Sequence, residues 1–408
     1  VIINLKNFAK LKNTEIEIKN FTVFAGKSST NKSYILKLLF SIYESFDKKN
    51  LKKELVEQIQ IFSTNKKKLS KFIIEVLPLF LIFFIMYFFT KNNFFSFPVM
   101  NYLLFIWIGL FLLVFSFSIY RYKRNTKIVK NINLKLLTNK IIFNYRIFKD
   151  TLQGIFKNID SQISKEFELE IDEFKLLYKN RGFKLENKNK LLIETANNVF
   201  IETPLILEFE SFLTREKYKT PYHIESLLHN LDEDFSPTTE AEDEFIDKYK
   251  ELIPKLINGK IQKSQSFEFE NSEGKSFNIL NVSSGIKSIG LIGYLIENKA
   301  IKPNSSIFWE EPEVHLHPSW QLKLIDLFLE LMGDGVKIFI STHSPYICDY
   351  LNAKSQKLNL EEQICFNLFS FEDESENRVK NTIIDRENWD LIQSELLDPL
   401  EEIGWEYL

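Results

Sequence analysis

The chemistry in this chain begins with one octapeptide. Gly26-Lys27-Ser28-Ser29-Thr30-Asn31-Lys32-Ser33 spaces a glycine, a lysine and a hydroxyl as a phosphate-binding loop does. In such a loop, backbone N–H groups and a helix N-terminus cradle phosphate oxygens. Lys32 would neutralise the terminal phosphates of ATP, and Ser33 would offer its hydroxyl to Mg2+. The pattern has one flaw: Asn31 stands where a second glycine is usual. Asparagine enters left-handed backbone more readily than most residues, so the loop's shape survives, but its side chain stands close to the phosphate position.

A second constellation lies far downstream. The apolar run Ser306 to Trp309 ends in Glu310-Glu311. A strand that ends in two carboxylates delivers them to the sheet edge where α/β proteins bind ligands. Glu310 is read as the Mg2+-shell residue. Glu311 is read as the base that orients water for attack on the γ-phosphate. The run Lys337 to Ser341 then ends at Thr342-His343-Ser344-Pro345. His343 stands where a γ-phosphate sensor would, although taken alone it reads as a capping or packed histidine. Upstream, Val282-Ser283-Ser284-Gly285 precedes the apolar helix Ile289 to Glu297. Ser283 and Gly285 suit an anion at a helix start, and equally a plain N-cap. His315 and His317 have no flanking Cys or further His, so a metal pair is not read there.

These residues need elements to hold them. Val1 to Leu5, Glu15 to Ile18 and Phe21 to Ala25 read as strands, and Lys32 to Phe46 as a helix. Strands return at Ser266 to Glu270 and Phe277 to Leu280, and Leu205 to Phe209 looks strand-like. Ile128 to Phe148 looks helical, and the acidic stretch Asp232 to Asp247 reads as a solvated loop or helix start. The fold class expected is α/β, a mixed sheet flanked by helices.

Two segments differ in composition from the rest. Phe72 to Thr90 holds one acid, and Tyr102 to Tyr120 holds no charge. A helix as long as either spans about 28 Å, near the ~30 Å hydrocarbon core. Lysines 66, 67, 68 and 71 precede the pair, and Arg121, Lys123, Arg124, Lys127 and Lys130 follow it. The expectation is a transmembrane hairpin in a bacterial cell membrane, with both termini cytoplasmic and lipid as a partner. The chain then divides into 1–45 (phosphate-loop part), 46–71 (basic helical linker), 72–120 (hairpin, spans 72–90 and 102–120), 121–264 (helical and mixed insertion) and 265–408 (the part with the remaining motifs).

Across its 408 residues the chain has a net charge of -3, so no basic excess points to nucleic acid, which is left open as a partner without being indicated. Two cysteines, Cys348 and Cys365, do not form a secreted disulfide framework and fit a reducing compartment.

In order, these motifs resemble an ABC-type P-loop NTPase head. Glu310-Glu311-Pro312-Glu313-Val314-His315-Leu316-His317-Pro318 and Ser341-Thr342-His343-Ser344-Pro345-Tyr346 are similar to SMC-like and OLD-family ATPases, a group that includes bacterial anti-phage defence ATPases. The opening Ile3-Asn4-Leu5-Lys6-Asn7-Phe8 is similar to their first strand. The resemblance covers roughly residues 1–45 and 265–350. It implies ATP and Mg2+ as ligands, ATP hydrolysis, and a head-to-tail dimer in which Ser283 and Gly285 reach the partner's γ-phosphate. It implies His343 as the switch histidine. Heads of this group carry a long insertion after the phosphate loop, here about 46–264. The stretch after Ile347 reads as too short for an appended nuclease domain, so effector chemistry is expected either in the membrane hairpin, moved by ATP-driven head dimerisation, or in a separate effector protein. The altered phosphate loop keeps a second reading open, an ATP-responsive sensor with little turnover.

Overall fold

The computed structural model describes residues 1–46, 145–186, 195, 197–215, 220–232, 237–373 and 378–397. All of these belong to one compact unit built from 1–48 and 141–408; the chain's other unit, 49–140, lies outside the described residues. In chain order the elements are β1 (Ile2–Phe8), β2 (Leu11–Glu17), β3 (Phe21–Gly26), α1 (Lys32–Glu44), α2 (Tyr145–Phe156), α3 (Ile159–Gln162), β4 (Glu166–Ile171), β5 (Phe174–Lys179), β6 (Gly182–Glu186), β7 (Asn198–Ile201), α4 (Ile206–Arg215), α5 (Tyr222–Asn230), α6 (Glu240–Ile257), β8 (Gly259–Lys263), β9 (Phe267–Asn271), β10 (Ser276–Asn278), α7 (Ser284–Glu297), β11 (Ser306–Glu310), α8 (Pro318–Gly333), β12 (Lys337–Thr342), α9 (Pro345–Leu358), β13 (Ile364–Asp373) and β14 (Arg378–Ile384).

The main sheet runs β6-β5-β4-β1-β2-β14-β13-β3-β12-β11-β7, and β10-β9-β8 form a second, smaller sheet. Its centre is parallel: β13, β3, β12, β11 and β7 pair in one direction. Its flank is antiparallel, from β2 through β1, β4 and β5 to β6. The fold is therefore mixed α/β, as expected. Four strands of the stretch read as an insertion, β4 to β7, lie in this same main sheet.

The central strands are apolar on both faces because both are covered. Period-2 alternation sends Val23, Ala25, Ile307, Trp309, Ile338 and Ile340 to one side, where α6, α7, α8 and α9 cover them. Phe24, Phe308, Phe339 and Phe200 go to the other side, against α1 and α2. There Phe308 and Phe339 stack at 4.6 Å, and Tyr43 of α1 meets both edge-on. Burying each such ring contributes roughly 1.5–3 kcal/mol. This packing fixes α1, and with it the phosphate loop, against the strands that carry the acids.

Two expectations need correction. Leu205 to Phe209 is not a strand: α4 begins at Ile206. A short apolar run is ambiguous in period, and here Ile206, Leu207 and Glu210 turn inward at helical spacing. The expected localisation, a bacterial cell-membrane protein with two spans, is also overturned. A span needs about 20 consecutive apolar helical residues, and among the described residues no helix is long and apolar enough to cross a membrane. The segments 72–90 and 102–120 themselves lie outside the described residues.

Candidate nucleotide site

Because β3, β12, β11 and β7 are parallel, their C-terminal ends share one edge of the sheet. That edge carries the loop after Gly26, the His343 that follows β12, the pair Glu310-Glu311 and Glu202. A cavity of about 420 Å3 opens there, lined by Ser28 to Tyr34, Lys10, Glu311 and His343 among others.

The loop is shaped by two special backbones. Gly26 sits at φ 138, and a Cβ there would lie 2.0 Å from the carbonyl oxygen of Phe369 on β13. No other residue fits. Asn31 caps α1 at φ 71, ψ 10, a left-handed conformation that asparagine tolerates. Its side chain makes no cap bond, and its amide nitrogen is buried without a hydrogen-bond partner.

Lys32 is 4% exposed and folds back over the loop. Its Nζ donates to the carbonyls of Gly26 at 2.8 Å and Lys27 at 2.7 Å. Burial pushes its pKa down to about 8, against the pull of Glu311, Glu313 and Glu310. Lys10, from the turn between β1 and β2, donates to the carbonyl of Ser29 at 2.8 Å.

The acids and the histidine form a chain. His343 Nδ1 lies 3.5 Å from Lys32 Nζ, and its Nε2 lies 2.9 Å from Glu311 Oε1. An ammonium only donates, so Nδ1 accepts and Nε2–H donates to Glu311. Burial and the nearby Lys32 lower the His343 pKa, which keeps the ring neutral at pH 7. Glu311 itself sits at φ 47, a backbone costing roughly 1–3 kcal/mol. Its N–H bonds the Ser341 carbonyl at 2.9 Å across the strand pair.

Glu313 holds this arrangement from below. Its Oε1 accepts from the Thr342 hydroxyl at 2.8 Å and the His343 N–H at 2.5 Å, while Oε2 is buried without a partner. Burial raises its pKa.

Glu310 meets Lys37 of α1, with Nζ 3.1 Å from Oε2. The donors expected for Mg2+, the Ser33 hydroxyl and the Glu310 carboxylate, are hard oxygens, and Mg2+ is held by one or two carboxylates plus substrate phosphates rather than by a protein cage. That fits this edge, where no group of three or more His, Cys, Asp or Glu suited to a metal occurs among the described residues. The His317 side chain accepts from the Ser319 N–H and caps α8.

Gly26, Asn31, Lys32, Ser33, Glu310, Glu311 and His343 are thus brought to one edge. Ser283 and Gly285 are not among the residues that line the cavity. Ser283 is exposed at the N-terminus of α7, and Gly285 is buried, with Trp320 so close that a Cβ would lie 2.5 Å from the ring. Ser284 donates to the His315 carbonyl at 2.5 Å, tying this helix start to the loop after Glu311. Sequence reasoning missed Lys10, Lys37, Glu202 and the role of Glu313. Glu202 had a signal: like Glu310 it ends an apolar run, Asn198 to Ile201.

A family model, that of the AAA ATPase domain, matches residues 2–348. The chain belongs to the AAA ATPase domain family. Its match runs across the stretch read as a membrane hairpin and agrees with the ATPase expectation; it lends nothing to membrane anchoring. A curated Escherichia coli relative, "Retron Ec83 probable ATPase", is 27% identical over 114 residues, 26% of this chain and 21% of that protein. The chain therefore spans about a fifth of that relative's length. Among solved structures, the Smc head bound to the C-winged helix domain of ScpA is similar with TM-score 0.43 and 12% identity, covering 95% of this chain and 97% of that one. The SMC head domain from Thermotoga maritima is similar with TM-score 0.41 and 10% identity, covering 94% and 98%. Neither likeness is close enough to add to what the family match shows.

Proposed function

We propose that this ATPase domain binds Mg-ATP at the β3–α1 loop and hydrolyses it with Glu311 as base. The observation that carries the reading is the convergence, in one cavity, of the phosphate-type loop, Glu311 and His343, with His343 bonded to Glu311 at 2.9 Å. In the arrangement seen, Lys32 is spent on loop carbonyls and Glu311 on His343. Phosphate oxygens offer Lys32 a better acceptor than a carbonyl, because both partners are then charged. A γ-phosphate drawn to His343 Nε2–H frees Glu311 to accept a proton from water. The water oxygen forms the new P–O bond as the bond to the β-phosphate oxygen breaks, and ADP and phosphate leave. Ser33 and Glu310 would hold Mg2+, which when bound neutralises charge on the phosphate oxygens.

Ser283 and Gly285 stand away from their own chain's cavity, and this favours their use in trans. We read the active form as a head-to-tail pair in which Ser283 faces the partner's nucleotide, with the pair controlling a separate effector protein. We propose bacterial defence as its setting, a reading supported by the group resemblance and by the likeness to a retron ATPase. Mixing tests the pairing. Lys32→Ala and Ser283→Arg chains, each inactive alone, regain turnover together through one composite site. No recovery, or full activity in Ser283→Arg alone, sinks the trans arrangement.

A second reading is favoured by Asn31, whose buried amide faces no partner in the loop. It makes the domain an ATP-responsive sensor with little turnover. Asn31→Gly then raises hydrolysis at least tenfold; a brisk wild type that glycine does not improve rules this reading out.

A further inference from the structure

Glu310 is not free to meet a metal at no cost. Lys37 Nζ lies 3.1 Å from Glu310 Oε2 and 3.3 Å from Glu202 Oε1. The lysine side chain is 14% exposed and that of Glu310 16%, so water screens the pair poorly. The register explains the meeting: Trp309 pairs with Ile201 across β11 and β7, so the residues that follow, Glu310 and Glu202, leave the sheet side by side. The Phe200 ring lies 5.8 Å from Lys37 Nζ and lends it a face. Burial works to lower the Lys37 pKa, but Glu310 and Glu202 outweigh it and raise it, so the residue stays a cation.

Glu202 is itself anchored. Its Oε2 lies 3.2 Å from His223 Nε2 on α5, leaving Oε1 toward Lys37. A tethered ammonium is thus shared by two carboxylates, one fixed by a neighbour and one at the proposed metal site. A divalent cation arriving at Glu310 would meet a positive charge a few ångströms away. A lysine's flexible stem lets that charge move without its helix moving.

We propose that Lys37 is a positioning residue that holds Glu310 as an internal counter-ion and sets the Mg2+ requirement of the site by moving onto Glu202 when the metal binds. The inference rests on the reading of Glu310 as the metal-shell residue. Its consequence is that metal-free Glu310 keeps a cation 3.1 Å from its carboxylate, and that metal loading is opposed by a built-in competitor whose strength Glu202 sets.

The test is a Mg2+ titration of fluorescent ATP-analogue binding to the full chain, read by anisotropy and so independent of turnover. Lys37→Met lowers the half-saturating Mg2+ about five- to tenfold, since a partly buried ion pair no longer competes. Glu202→Gln leaves Lys37 on Glu310 alone and raises it about threefold or more. In the Lys37→Met background Glu202→Gln has at most half that effect, because it acts through the lysine. An unchanged or higher Mg2+ requirement in Lys37→Met overturns the proposal, as does an equal Glu202→Gln effect in both backgrounds. If Lys37→Met does not fold, Lys37→Gln replaces it, and an unchanged or lower requirement in Glu202→Gln alone is already decisive against the idea. Glu310→Gln separates the two levels. If it leaves the Mg2+ requirement unchanged, the metal assignment falls; if it shifts the requirement and Lys37→Met does not, only the role of Lys37 falls.

Discussion

Lys32 makes nucleotide affinity depend on pH in a way that its sequence motif does not foretell. Its ammonium is buried in a carbonyl-lined loop, and its pKa falls to about 8. Bound phosphate would hold the proton on, so above pH 8 each binding event takes up a proton that the free protein has lost. The protonated fraction of a group with that pKa is about 0.9 at pH 7 and about 0.09 at pH 9, so the dissociation constant for ATP rises about tenfold between them. The sign for stability is opposite. Between about 8 and the ordinary 10.5, the unfolded chain carries a proton that the folded chain lacks, so stability rises with pH through that window, by up to about 3 kcal/mol from this group. The assay is fluorescent-nucleotide affinity from pH 7.5 to 9.5, with unfolding midpoints taken alongside. Lys32→Met removes the pH dependence and leaves weak, flat binding. Affinity in the wild type that is flat across the range, or an equal slope in Lys32→Met, refutes the reasoning.

Three further outcomes follow from the geometry. Glu313→Ala strands the Thr342 hydroxyl and the His343 N–H, a loss of about 2–5 kcal/mol in urea unfolding, whereas Glu313→Gln keeps one acceptor oxygen and loses less than half of that. Gly26→Ala drives a Cβ into the Phe369 carbonyl and costs more than about 3 kcal/mol, seen as a lower unfolding midpoint together with lost nucleotide binding. His343→Gln lowers turnover by about tenfold or more and leaves nucleotide affinity within about threefold, as measured by phosphate release and anisotropy.

What was legible in the sequence was what lies close along it. The strand, loop and helix from Phe21 to Glu44 are contiguous, and so are β11 with Glu310-Glu311 and β12 with His343. Apolar runs that end in chemistry-bearing residues could be placed at a parallel sheet edge before any pairing was seen. Lys37 could not: on α1 it reads as one more exposed lysine, and only the β7–β11 register brings two acids to it. Lys10 likewise reaches the phosphate loop only because the β1–β2 turn lies against it. Glu313 looked like part of a motif string, and its purpose shows in the bonds to Thr342 and His343. The antiparallel flank β4 to β6 was missed, since half-buried strands among charged residues give a weak pattern; β13 and β14 were missed as well. The localisation reading failed for another reason. It rested on apolar length and flanking charge alone, and among the described residues no helix is long and apolar enough to cross a membrane.

In the proposed mechanism Glu311 does the chemistry while the loop does the binding. Phosphate release by wild type and Glu311→Gln, with nucleotide affinity measured on the same preparations, tests it most directly. Turnover in Glu311→Gln falls by about a hundredfold or more while affinity stays within about threefold. Turnover within a few-fold of wild type, at unchanged affinity, would contradict it.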